Sequence, residues 1–261
     1  MHADVASYLQ FYTFLIAMIR PAIVIALLSG LWLALRRLTL MPGERMIVTW
    51  LAVAVPLALW LGVVWNLAEA GAFQARPGII SPLPIAVAVP VLIGLIGLMS
   101  SRRIAATVDA APLGWLIALQ VYRVIGGNFI VLWLGGAIPG VFALPAGIGD
   151  VLVGLFAIPV ALYLASGLPG GVALAVAWNI FGILDLVDAL TLGFLSSPGP
   201  LQALALDHPD VLATSYPTVM TPAFAVPLSL ILHGLSLWQL RRRARSRSGG
   251  RRLQHGIAPA H

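Results

Sequence analysis

The residues able to do chemistry in this chain are few, and they lie inside apolar runs. Arg123 follows LIALQVY, Asp185 and Asp188 belong to NIFGILDLVDAL, and His233 to SLILHGL. On insertion scales a charge at the centre of a bilayer costs about 2.5–3.5 kcal/mol. Groups that expensive face other helices, where they pair, pass protons or hold a ligand. Gln120 stands one helical turn before Arg123, and the two together could hold an anionic or polar group. Asp185 and Asp188 are also one turn apart, a spacing that lets two carboxyls share a proton. Asn179 flanks the face that carries Asp185. His233 brings an imidazole, the side chain whose ordinary titration lies closest to neutral pH.

Three further features are weaker. Asp150 opens an apolar run after PAGIG, which places it at the outer rim as a helix cap. The small-residue row Ala146, Asp150, Gly154 turns its side chain into the bundle. Arg20-Pro21 interrupts the first run, and Pro is welcome in a first turn, so Arg20 is expected at the rim. Asp207, His208 and Asp210 carry metal-ligand atoms but are too few for a site; no metal is expected.

The elements that position these residues follow from composition. Of 261 residues 60% are hydrophobic and 9% charged, with a mean hydropathy of +0.99. Soluble domains carry about 25% charged residues, and no soluble surface could accommodate this chain. The fold class is therefore all-α, a polytopic transmembrane helix bundle. Apolar runs occur near residues 12–35, 46–68, 83–99, 113–134, 150–164, 172–195 and 223–240, which predicts seven spans. Twelve Arg fall in one set of connections and in the tail, against Arg76 alone in the other set. The positive-inside rule then places the N-terminus outside and the C-terminus in the cytoplasm. An odd number of spans is consistent with that. Residues 1–240 form the transmembrane domain, and the basic segment 241–261 is expected to be a disordered cytoplasmic tail. The connection 135–149 reads as a Gly/Pro-rich loop at the bilayer surface, and 201–206 as a short interfacial helix. The first ten residues lack a basic leader, so no cleaved signal peptide is expected.

Composition also excludes functions. There is no Cys, hence no disulfide or thiolate chemistry. Microbial rhodopsins share the predicted span count and orientation, but this chain has no Lys to carry retinal. No second in-span His is present for a bis-His haem, and no cofactor is implied. Nucleotide-binding, metalloprotease and serine-hydrolase motifs are absent. The Arg residues flank spans rather than forming a nucleic-acid patch, so the expected partner is the lipid bilayer of a plasma or inner membrane. Small polar or anionic ligands are the other candidates. The reading that follows is a polar pocket between spans four, six and seven of a small-molecule or ion transporter, with proton coupling through the carboxyls and His233. The alternatives are a membrane-embedded enzyme or cofactor binder acting on a lipid-like substrate, and an accessory subunit whose polar groups only join helices.

Overall fold

The computed structural model describes residues 3–37, 42–100 and 102–255. Nine α-helices are found among them: α1 (Ala3–Arg36), α2 (Gly43–Glu69), α3 (Leu83–Ser100), α4 (Arg102–Ala110), α5 (Trp115–Ala118), α6 (Asn128–Leu134), α7 (Gly140–Ala165), α8 (Gly171–Ser196) and α9 (Val226–His255). A nine-residue 3₁₀ helix, Leu119–Gly127, joins α5 to α6, and a π-turn, Thr221–Ala225, leads into α9. The described residues contain no strand, only an isolated bridge between Arg76 and Ile79.

Six segments are long and apolar enough to cross a membrane: Val5–Arg36, Gly43–Glu69, Trp115–Leu134, Gly140–Ala165, Gly171–Ser196 and Thr221–Arg245. The seventh apolar helix is shorter, at Leu83–Gly97. The outward surface is that of a membrane protein. Phe14, Leu59, Ile93, Leu162 and Leu184 are each more than 60% exposed, an apolar surface that a soluble monomer does not carry.

Several connections differ from the sequence expectation. α7 starts at Gly140 and runs through Pro145, so 140–149 is helix and the connection shrinks to a few residues around Gly136. Gly and Pro are loop signals in water, but a membrane helix tolerates them where neighbouring helices pack against the freed backbone. Residues 201–206 form turns and irregular chain; the ordered turn of the segment between α8 and the π-turn is the 3₁₀ helix Leu212–Thr214. α9 continues beyond the apolar run to His255, and 256–261 lie outside the described residues.

α7 is the hub, packed against both α8 and the 3₁₀ segment. One apolar cluster, with Phe129, Leu132, Phe142 and Ala146, gathers at its N-terminal half. Another, with Val153, Ala157, Ala161 and Trp178, gathers at its C-terminal half. Asp150 falls between the two. Gly114, the left-handed residue before α5 (φ +88°), lets the chain pass close to α7; a side chain there would meet the backbone oxygen of Ala161 at 2.8 Å.

Candidate functional site

The site is built on a local change of helix type. In a 3₁₀ helix residues i and i+3 eclipse one another, so Gln120, Arg123 and Gly126 line up on one buried face of Leu119–Gly127. An α-helical spacing would put Gly127 beneath Arg123. The tighter winding substitutes Gly126, and a Cβ there would overlap the Asp150 carboxylate.

Arg123 is 3% exposed, and all three of its nitrogens are engaged. Nε donates to Asp150 Oδ1 at 2.6 Å. Nη2 donates to Asp185 Oδ2. Nη1 donates to the Gly182 carbonyl at 3.2 Å and lies 3.2 Å from His233 Nε2. Guanidinium nitrogens only donate, so Nε2 of His233 must accept. The imidazole proton is then on Nδ1, which donates to Asn179 Oδ1 at 2.9 Å. That assignment agrees with Asn179, whose amide nitrogen donates to Ala175 O at 2.7 Å and to Ser236 Oγ at 3.1 Å. One line of hydrogen bonds thus joins the 3₁₀ segment, α7, α8 and α9.

Each polar group is seated where a neighbouring helix lacks a side chain. Asp150 sits over Gly126 and Asp185 over Gly149, while His233 and Arg123 sit over Gly182. Backbones approach there as closely as small residues permit.

The sequence-selected residues divide between two places. Arg123, Asp150, Asn179, Asp185 and His233 meet in this network. Asp150 does so as a mid-helix residue rather than a rim cap; the residue before α7 is Pro139, in extended conformation. Gln120 is fully buried but turned aside, donating to Ser229 O at 3.1 Å, with its Oε1 unpaired among the described residues. Asp188 is exposed and makes no hydrogen bond or ion pair among the described residues. Arg20, expected at the rim, lies at the middle of α1, 2% exposed, with Nη2 donating to Thr221 Oγ1 at 2.9 Å. Tyr12 meets the same hydroxyl at 3.2 Å. For Arg20 the sequence allows an interior position as well as the rim and favours the rim because Pro21 reads as a helix start, whereas α1 passes through it. Ser236 was also missed; its position three residues after His233 on α9 was the available signal.

In the segment between α8 and the π-turn, Asp207 and His208 are exposed while Asp210 is buried. Asp210 Oδ1 accepts the Ala213 N–H at 2.9 Å, which caps the 3₁₀ turn, and Oδ2 is unpaired among the described residues. Burial pushes its carboxyl up to about 6, against the hydrogen bond to Ala213, which acts the other way.

The open space near Arg123 is small. A cavity of about 10 Å³ is bounded by Arg20, Tyr122, Arg123, Asp150, Thr221 and Ser229 among others. That volume admits about one water. A family model described as a domain of unknown function (DUF8737) matches residues 80–241. The chain belongs to the DUF8737 family. The matched region holds all five members of the network and leaves out α1 and α2, so Arg20 lies beyond it. No curated protein and no solved structure matches the chain.

Proposed function

We propose that this DUF8737 member is a proton-coupled ion or small-molecule transporter of a cell membrane, whose coupling centre is the Arg123–Asp150–Asp185–His233 network in its closed form. The observation that carries this reading is that two carboxylates share one guanidinium, which also meets a neutral imidazole, and that the chamber beside Arg123 and Asp150 has room for about one water. Such a chamber takes a proton or a water and not an organic ligand. Stability alone is a poor reason to keep it. Buried ion pairs are often matched or exceeded by well-packed apolar residues, because desolvation offsets their attraction. The Asp150 and Asp185 side chains keep slight exposure, 11% and 8%, which makes the carboxyl pair the point of proton entry.

The proposed topology has seven spans, with the N-terminus outside and the C-terminus in the cytoplasm. α3 has 18 residues, about 27 Å at 1.5 Å per residue, close to the roughly 30 Å hydrocarbon core. Its two ends also keep company with opposite ends of the bundle. The chain before it meets the outer segment, with Ala75 N–H donating to Thr214. The helix after it, α4, meets the basic end of α9, where Arg242 pairs with Asp109 at 2.8 Å.

The test is difference infrared spectroscopy on the protein in lipid. A carboxylic-acid band should rise on acidification and be lost in Asp185→Asn, and vesicles holding the wild type should pass protons that Asp185→Asn vesicles do not. The complete engagement of Arg123 favours a second reading, an accessory subunit locked by this network. In that case Arg123→Gln and Asp185→Asn each weaken the fold, the double variant recovers it, and no band titrates.

A further inference from the structure

The cavity beside Arg123 is also bordered by α1 and the π-turn. Arg20 is 2% exposed. Its Nη2 is satisfied by Thr221, but its Nε–H has no acceptor among the described residues. A buried donor without a partner is costly, and more so on a charged group. Arg20 borders the same cavity of about 10 Å³ as Asp150. Asp150 commits Oδ1 to Arg123. The hydroxyls of Tyr122 and Ser229, 2.6 Å apart, complete the polar wall.

We propose that this cavity is a binding site for a single water molecule that accepts from Arg20 Nε and donates to the Asp150 carboxylate. The water links α1 to α7 and brings Arg20 into the network as its fourth charge. Size and charge together select this occupant. The volume fits one water. An anion would face the Asp150 carboxylate and a cation would face the Arg20 N–H, whereas water both donates and accepts. Two guanidiniums then stand against two carboxylates, and the interior is neutral. The inference stands whether or not the network exchanges protons.

The test has two arms. The first is a structure of the full chain in lipid nanodiscs, at a resolution that shows ordered water. One oxygen-sized peak within hydrogen-bond distance of Arg20 Nε and Asp150 is expected; an empty cavity or direct Arg20–Asp150 contact overturns the proposal. The second is a thermal-unfolding cycle with Arg20→Met and Asp150→Asn. The double variant should lose less than the sum of the single losses, because both variants remove the same bridge, and additive losses would contradict the link. Exchange of sodium for choline, or chloride for gluconate, should leave the wild-type midpoint unchanged. A midpoint that follows one ion's concentration replaces water by that ion. Should a variant fail to fold, the wild-type density and the ion series still decide.

Discussion

At Arg123 a single guanidinium meets two carboxylates, so its removal strands both. Arg123→Gln should cost about 3–5 kcal/mol, the usual range for leaving a buried partner unpaired, read as a lower unfolding midpoint in detergent. Arg123→Gln combined with Asp185→Asn should lose less than the sum of the single losses, because the two sites share one interaction. Asp210 gives a pH signature of its own. Its folded carboxyl, raised to about 6, holds a proton more tightly than the unfolded one, which titrates near 3.9. Between those values the folded state binds more protons, so stability falls as pH rises from about 4 to 6 and stays low above. A carboxyl shift of that size corresponds to roughly 2–3 kcal/mol at full effect. Asp210→Asn keeps an oxygen for the Ala213 N–H and should flatten this decline in thermal scans across that window.

At the scale of elements, the glycines do the positioning. Gly126, Gly149 and Gly182 belong to three different segments, and each is the seat of a polar group from a neighbour. Gly149→Ala should press on Asp185 and Gly182→Ala on His233 and Arg123. Each is expected to lose about 1–3 kcal/mol, the common cost of overpacking, and to abolish the infrared response of Asp185. Gly62 on α2 has open space around its Cβ position. Gly62→Ala should therefore unfold at the wild-type temperature or slightly above, since Ala is the better helix former. The 3₁₀ winding of Leu119–Gly127 adds to this register. A nine-residue stretch is long for that geometry, which usually persists for three or four residues. It is what stacks Arg123 directly over Gly126.

For the molecule as a whole, the topology has a clean test, because the chain contains no Cys. Single variants Arg76→Cys and Ser166→Cys report the two sides with a membrane-impermeant maleimide. If α3 crosses, Arg76→Cys labels on intact cells and Ser166→Cys labels only after permeabilisation. If α3 does not cross, both residues lie on one side and label alike. The helical, apolar class was legible in composition, because the cost of exposing so much apolar surface to water leaves no other solution. The runs of about twenty apolar residues located six of the long helices to within one turn or two at most ends. Arg123, Asp185 and His233 stood out because charge in an apolar run is costly wherever the run folds. What they touch was not legible. Asp150 and Arg20 read as rim residues, since Pro and Gly signal helix ends in water; α7 and α1 pass through those signals because adjacent helices stabilise them. Gln120 shares the helical stripe of Arg123 in the sequence pattern and Asp188 flanks that of Asp185, yet the Gln120 side chain bonds elsewhere and Asp188 faces outward in the fold. That outcome turns on local winding and on which glycine faces which carboxylate. A one-dimensional pattern specifies the period of a helix, and only the packed bundle determines its rotation and its partners.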